Sequence, residues 1–220
     1  MEKARIAVIG AGAIGGITAA LMAAKGQNVE LVCKHMEISD LANGRGLHVT
    51  GHCGEQTVPV HSVSSIEELH GQYDLCLIAT KAYDMPECAK TMLPLLKEDS
   101  LVVSMQNGIC TDALSAIVGE ERTVGCVIGW GATMHGAGEL EMTSGGDFII
   151  GRMAKGEAPR MAQLKEALSC VTETIVSDDI YAELYSKLVV NACITSLGAI
   201  CGLRLGEMMK RKQARKIFLA

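Results

Sequence analysis

The sequence lacks an excess of positive charge. Its 220 residues contain 20 Lys and Arg against 25 Asp and Glu, which gives a formal net charge of −5. Because contact with nucleic-acid phosphates requires clustered positive charge, we expect no nucleic-acid partner. An anionic small molecule can still bind such a protein through a few local cations and backbone N–H groups.

The nine cysteines include no C-x-x-C pair, and most lie in apolar runs, as Cys76 does. Cysteines of this kind are typical of small buried side chains in a reducing compartment. His48, His52, Cys53 and His61 cluster in sequence but match no zinc-binding spacing. We therefore expect buried thiols and no metal site.

The long apolar run near the N-terminus, from Ile6 to Ala24, is interrupted by four glycines, among them Gly10 and Gly12. Such a run resembles a signal peptide or a membrane anchor. The glycines instead favour a short strand, a tight turn and a helix. We therefore expect a cytoplasmic protein without a membrane partner.

Apolar strand patterns alternate with helical patterns through the first half of the chain. We predict strands at residues 5–9, 28–33, 73–79 and 100–105, and helices at 13–25 and 85–97. This alternation predicts an α/β fold with a Rossmann-type doubly wound sheet. Residues 123–150 are rich in glycine and β-formers, which predicts an antiparallel or edge extension of that sheet.

Only helical patterns follow residue 158, at residues 159–171, 179–201 and from about 211. We therefore expect residues 1–157 to form the Rossmann domain and residues 158–220 to begin an all-helical domain for substrate binding and dimerisation. Because the chain stops as a further helix begins, we expect this second domain to be incomplete (truncated). Its exposed apolar helix faces favour a homodimer.

A G-x-G-x-x-G string lies between the first predicted strand and the first predicted helix. In such a loop the first glycine permits the turn, the second lets a pyrophosphate approach, and the third lets helix and strand pack closely. The helix N-terminus adds free N–H groups and a positive dipole end. A purely structural turn is the alternative, but the position favours dinucleotide binding. The predicted cofactor-binding residues are Gly10, Ala11, Gly12, Ala13, Ile14 and Gly15.

The choice between NAD and NADP depends on the end of the second strand, about twenty residues past the glycine loop. An NAD enzyme places Asp or Glu there, whereas Glu30 lies too early, in the middle of the strand. The strand ends with Lys34, which could pair with a 2′-phosphate, and we expect no carboxylate to oppose it. Although a solvated surface lysine is the alternative, the pattern favours NADP.

Polar residues follow the third and fourth strands and form a stripe on the long helix. Thr80-Lys81 and Gln106-Asn107-Gly108 come after strands, where α/β sheets bind ligands. Each could equally be an ordinary loop or turn. Within the helix, polar residues recur every four positions and therefore share one face, which indicates either interhelix hydrogen bonds or a wall of the cleft. These residues are Glu183, Lys187, Asn191 and Thr195.

Four strings in this order resemble the ketopantoate reductase (2-dehydropantoate 2-reductase) family, and the resemblance covers essentially the whole chain. They are residues 10–15 (GAGAIG), 80–82 (TKA), 106–108 (QNG) and 187–191 (KLVVN). In that family an NADPH hydride reduces the 2-oxo group of a small acid. The resemblance therefore implies reduction of 2-dehydropantoate to pantoate in pantothenate biosynthesis.

The resemblance also implies a role for individual residues. It implies Lys187 as the general acid and Asn107 as a residue that holds both cofactor and substrate. It further implies Lys81 near the cofactor, Asn191 on the substrate and Lys34 at the 2′-phosphate. The chemistry agrees, because hydride addition to a ketone creates an alkoxide, to which a lysine in a dry cleft can donate a proton.

The chain departs from the family pattern at Thr195 and Ser196, where the family carries an asparagine followed by proline. The shorter Thr195 alters the reach to the substrate hydroxyl. The family's helical domain also continues well past this length and contributes a glutamate and a serine to its site. Two alternatives therefore stay open: reduction of another small 2-oxo acid, and NADPH binding or sensing without catalysis.

Overall fold

The structure is a computed structural model that describes residues 3–156 and 158–218. The predicted domain limits at residues 1, 157 and 220 lie outside these residues. The strands are β1 (Arg5–Ile9), β2 (Asn28–Val32), β3 (Leu47–Gly51), β4 (Gln56–Val58), β5 (Ser62–Val63), β6 (Tyr73–Ile78), β7 (Leu96–Ser104), β8 (Thr123–Ile128), β9 (Gly131–Gly136), β10 (Glu139–Ser144), β11 (Phe148–Arg152) and β12 (Thr174–Val176). The α-helices are α1 (Ala13–Ala24), α2 (Met36–Asn43), α3 (Met85–Met92), α4 (Thr111–Val118), α5 (Met161–Leu168), α6 (Ile180–Asn191), α7 (Leu197–Cys201), α8 (Leu205–Lys210) and α9 (Lys212–Phe218).

The main sheet has eight strands in the order β12-β11-β8-β7-β6-β1-β2-β5. Strand β11 runs antiparallel to β8, and the other neighbours are parallel. Every residue of β6 is buried, as expected for a strand covered on both faces. The predicted doubly wound α/β sheet is thus confirmed. Its two halves meet between β1 and β6, the switch point where α/β sheets bind ligands.

A second, four-stranded sheet has the order β4-β3-β10-β9 and packs against α1. The contact is close, since a Cβ placed on Gly16 would lie 2.7 Å from Cδ1 of Leu140. The predicted extension over residues 123–150 is therefore only partly right. Strands β8 and β11 extend the main sheet, whereas β9 and β10 belong to the separate one.

Two element boundaries differ from the predicted ones. The helix predicted for residues 85–97 ends at Met92, and a short 3₁₀ turn over Leu93–Leu95 contains Pro94. Proline lacks a backbone N–H, so Pro94 cannot donate the next hydrogen bond of the α-helix, and the helix ends before it. Strand β7 consequently begins at Leu96, earlier than predicted.

The sequence predicts purely helical structure from residue 158, but the structure still has a strand, β12, after that residue. Helix α5 buries Leu164 and Leu168 in the same core as α1, and β12 pairs in parallel with β11. Residues 158–176 therefore pack and pair with elements of the main sheet, which is not the all-helical structure that the sequence predicts from residue 158. The helical pattern of α5 is local, and it carries no signal that distinguishes a sheet-covering helix from one of a new domain.

The long helix after β12 is interrupted and largely exposed, although residues 188–201 are mostly apolar. A π-helical turn over Ala192–Ser196 separates α6 from α7. Ile180 and Leu184 are buried, but Val189 is 63% exposed. By length and apolar composition alone, Ile180–Cys201 is the one helix of the described residues that could cross a membrane.

None of the nine cysteines forms a disulfide, and all nine lie in the described ranges. The expected burial holds for Cys33, Cys76 and Cys126, while Cys201 is exposed and the others are half-buried. Burial raises the pKa of the Cys33 thiol above its usual value. That thiol is therefore a packing group at neutral pH.

Candidate active site

The glycine loop joins β1 to α1 at the switch point of the sheet. Gly10 has a φ of +108°, a conformation that side chains rarely adopt, and its Cα faces the Ala79 backbone. A Cβ on Gly15 would lie 1.9 Å from the carbonyl oxygen of Gly10. Both glycines are thus required by the backbone, for the turn and for the helix–strand contact predicted from the sequence.

Gly12 is different, because a Cβ there would meet no described atom within 4 Å. It is the N-cap of α1, and its φ of −68° suits any residue. The described residues provide neither a side-chain cap nor an acidic residue in the first turn of the helix. The free N–H groups and the open space above Gly12 fit the pyrophosphate of a dinucleotide.

Lys34 follows β2 at the edge of the crevice, as predicted, but it has an acidic partner. Its Nζ lies 3.6 Å from Oδ2 of Asp84, whose side chain is 36% exposed. The expectation that no carboxylate opposes Lys34 is therefore wrong. Sequence reasoning considered only the end of β2, whereas Asp84 comes from the loop after β6. The exposed Lys81 lies in that same loop, where its carbonyl accepts from the Asp84 N–H.

Gln106 braces the carboxyl ends of two neighbouring strands. Its Nε2 donates to the carbonyls of Ile78 at 2.8 Å and of Thr80 at 3.2 Å. The Ser104 hydroxyl donates to its Oε1 at 2.7 Å. The buried Gln106 thereby fixes the start of the loop that carries Asn107. The sequence motif contained this residue, but no pattern within it indicated the cross-strand role.

Asn107 meets α6 at the same edge of the sheet. The side-chain Nδ2 of Asn191 donates to Oδ1 of Asn107 at 3.3 Å. Lys187, one turn before Asn191 on α6, lines a small recess together with Asn107 and Val127. Three of the residues singled out from the sequence therefore converge, although they come from distant parts of the chain.

The polar stripe of α6 faces the protein as far as Asn191. Glu183, Lys187 and Asn191 are half-buried, while their apolar neighbours Val189 and Val190 are exposed. Lys187 is thus less buried than the dry cleft predicted for it. The π turn changes the spacing beyond Asn191, because residues five apart rather than four apart then align. Thr195 is consequently exposed and does not continue the stripe.

The histidines and the cysteine considered as metal ligands in the sequence all lie within residues 3–156 and 158–218. In these ranges no group of three or more His, Cys, Asp or Glu side chains is arranged to hold a metal ion. His48 instead pairs with two carboxylates, Glu139 at 2.6 Å and Glu55 at 3.4 Å. The hydrogen bond with Glu139 raises the pKa of His48.

One family of known proteins matches most of this chain. The sequence model described as "Ketopantoate reductase PanE/ApbA" matches residues 6–155. Its companion for the C-terminal part matches residues 179–220. Two relatives named 2-dehydropantoate 2-reductase, from Archaeoglobus fulgidus and Pyrococcus abyssi, are 28% and 29% identical over 96% and 89% of this chain. The chain covers 68% and 64% of their lengths, or about two thirds.

Solved structures of similar fold include two kinds of oxidoreductase. The 2-dehydropantoate 2-reductase of Geobacter metallireducens has a TM-score of 0.88 and 27% identity, with 97% of this chain and 71% of that one covered. A D-mandelate dehydrogenase in complex with NADH and anilino(oxo)acetate has a TM-score of 0.86. At 24% identity, over 97% of this chain and 70% of the other, the latter shows likeness of fold alone.

Proposed function

Because the chain belongs to the ketopantoate reductase family, we propose that it is an NADPH-dependent oxidoreductase that reduces 2-dehydropantoate to pantoate. Such a reaction is a step of pantothenate biosynthesis. The observation that carries the proposal is the convergence of Lys187, Asn107 and Asn191 beside the end of β7. The glycine loop opens at the same edge of the sheet.

The residues at this end of the sheet have different roles in the proposed reaction. When bound, the nicotinamide supplies a hydride to the 2-oxo carbon. Lys187 donates a proton to the carbonyl oxygen, and its charge stabilises the alkoxide as it forms. Asn107 and Asn191 orient the substrate by donating hydrogen bonds from their amides. Each amide has two N–H groups, so Asn191 can keep its bond to Asn107 and donate a second one.

Backbone and side-chain groups along the crevice hold the cofactor. Gly12 and the N-terminus of α1 bind the pyrophosphate, while Lys81 lies near the cofactor and Lys34 pairs with a 2′-phosphate. The choice of NADPH over NADH depends on Lys34 alone among these contacts. Lys34→Gln should therefore weaken NADPH binding by about tenfold and leave NADH binding nearly unchanged.

Another small 2-oxo acid is the second candidate substrate. Thr195 stands where the family pattern has an asparagine, so the part of the pocket expected to meet the substrate's distal hydroxyl differs from that pattern. The π turn also leaves Thr195 off the line of Asn191. NADPH binding without turnover is the third reading, and an activity assay separates it from the first two.

A cytoplasmic location is part of the same proposal, because none of the nine cysteines is oxidised to a disulfide. The apolar helix that begins at Ile180 also carries Lys187 and Asn191, so we assign it to the substrate site rather than to a membrane. Its exposed Val189 and Val190 are suited to contact a second copy in a homodimer.

The test is NADPH consumption, followed by the loss of its absorbance, with 2-dehydropantoate and a panel of other 2-oxo acids. Oxidation that depends on 2-dehydropantoate and yields pantoate supports the proposal. Preferred turnover of another 2-oxo acid would support the second candidate. Tight NADPH binding with no oxidation of it by any acid in the panel would contradict catalysis altogether.

A further inference from the structure

The ion pair between Lys34 and Asp84 spans the crevice in which the dinucleotide is proposed to lie. Lys34 follows β2, Asp84 follows β6, and the strand between them is β1, which ends in the glycine loop. The loops after β2 and β6 are held together at this point by a contact of 3.6 Å. The cation assigned to a 2′-phosphate is therefore already paired with a carboxylate of the same crevice.

Two exposed apolar side chains lie close in sequence to Lys34 and Asp84. Among the large apolar side chains of residues 3–156, only Met36 and Tyr83 are exposed, at 69% and 80%. Met36 comes two residues after Lys34, and Tyr83 immediately precedes Asp84. Apolar and aromatic surface of this kind suits a purine ring, which places the adenosine end of a dinucleotide beside the ion pair.

Building on the NADPH dependence proposed above, we infer that Asp84 is a specificity-determining residue that reduces the preference for NADPH over NADH. A 2′-phosphate must compete with the Asp84 carboxylate for Lys34, and the two anions also repel each other. NADH carries a neutral hydroxyl at this position and meets neither cost. The Kd values for NADPH and NADH are therefore more similar than they would be if Lys34 had no acidic partner.

The opposite role for Asp84 makes an opposite prediction. A carboxylate can also accept hydrogen bonds from the ribose hydroxyls, as an acidic residue at the end of the second strand does in NAD enzymes. Loss of the charge would then weaken NADH binding. Asp84→Asn separates the two roles, because it removes the charge and keeps the shape.

The experiment is a fluorescence titration of the protein with NADPH and with NADH, for the wild type and three variants. Asp84→Asn removes the competing charge. Asp84→Glu keeps it, and Glu87→Gln removes an exposed charge from the first turn of the helix that Asp84 caps. Asp84 is the N-cap of α3 but makes no side-chain capping bond to the described residues, so asparagine should leave the melting temperature unchanged.

We expect Asp84→Asn to lower the Kd for NADPH about three- to tenfold and to change that for NADH by less than about twofold. The gain should shrink at high salt, because the charges are partly exposed. Asp84→Glu and Glu87→Gln should stay near the wild-type ratio of the two Kd values.

Three results would overturn the inference: no change in Asp84→Asn, weaker NADH binding in that variant, or an equal gain in Glu87→Gln. A wild-type protein that binds neither nucleotide would remove the inference and the proposed function together. A protein that shows the expected shifts in affinity but reduces no 2-oxo acid would refute only the proposed function.

Discussion

Asn191 donates a side-chain hydrogen bond to Asn107 across 3.3 Å, and this bond joins α6 to the loop after β7. The loop is itself fixed by Gln106, which is bonded to the carbonyls of Ile78 and Thr80. The amide of Asn191 is therefore bonded to a loop whose first residue is itself bonded to the main sheet. A substrate bound beside Lys187 would meet an amide in a fixed position, which reduces the entropy lost on binding.

Asn191→Ala should raise the KM for 2-dehydropantoate by about tenfold or more, because a hydrogen bond to a charged or polar substrate group is lost. Nucleotide affinity should stay within about twofold of wild type, since Asn191 lies away from the glycine loop. Steady-state kinetics and a separate nucleotide titration measure the two effects. Ser186→Ala, an exposed position of the same helix, serves as the control. Equal losses in both variants would argue against a substrate role for Asn191.

Two glycines of the same loop should respond to alanine in opposite ways. Gly12→Ala should weaken nucleotide binding by about tenfold or more with little change in melting temperature, because its Cβ meets no described atom within 4 Å but enters the space assigned to the pyrophosphate. Gly15→Ala should destabilise the protein by about 3 kcal/mol or more, since its Cβ collides with the carbonyl of Gly10.

Thermal melting and nucleotide titration of both variants test this contrast. If Gly12→Ala bound NADPH and NADH as well as the wild type does, the space above Gly12 would not be the pyrophosphate site. If Gly15→Ala were as stable as the wild type, the backbone approach described for β1 and α1 would be wrong.

Asp74 is a buried carboxylate at the amino end of β6, and it predicts that the stability of the fold falls in acid. Asp74 accepts from Lys97 Nζ at 2.6 Å and from the Arg5 backbone N–H at 2.8 Å, and it forms an ion pair with Arg160 Nη1 at 2.6 Å. Burial alone would raise the pKa of Asp74, but the bonds from Lys97 and Arg5 and the charge of Arg160 hold it below its usual value. The carboxylate therefore stabilises the fold above its unfolded pKa of about 3.9, and this contribution is lost as pH falls through the lower folded value.

Asp74→Asn should cost about 2 kcal/mol of unfolding free energy at pH 7. The difference from wild type should disappear as pH falls below about 4. Urea denaturation at several pH values measures it. A difference that is independent of pH would show that lost packing, rather than lost charge, destabilises the variant.

Lys187→Ala should lower kcat by roughly 10²–10⁴, because the proton donor and the charge beside the alkoxide are both removed. Nucleotide binding should persist, since Lys187 lies in the recess with Asn107 rather than at the glycine loop. Lys187→Arg keeps the charge but is a poor proton donor, so it should restore substrate affinity without restoring turnover. Unchanged turnover in Lys187→Ala would remove Lys187 from the mechanism.

Local patterns predicted those parts of the fold and the site that depend on neighbouring residues. The strand, glycine turn and helix from Arg5 to Ala24 lie where the pattern places them. The four-residue spacing correctly placed Lys187 and Asn191 on one face. Both cases depend on interactions within a few residues of the chain.

Features that depend on distant pairing could not be predicted in this way. In the second sheet His48 pairs with Glu139, and the sequence of neither strand indicates which strand is its partner. The carboxylate opposite Lys34 likewise comes from another loop of the crevice. The π turn that moves Thr195 off the stripe depends on how the backbone packs, which the regular spacing of the sequence conceals.

The most direct test of the central claim is the fate of deuterium carried at both hydrogen positions of C4 of the NADPH nicotinamide. The proposed reaction transfers one deuterium atom to C2 of 2-dehydropantoate, while the proton on the new hydroxyl comes from the protein. Mass spectrometry should detect pantoate that is one mass unit heavier, formed in step with the oxidised nucleotide. Unlabelled pantoate, or label left on the nucleotide with no pantoate formed, would contradict reduction by direct hydride transfer.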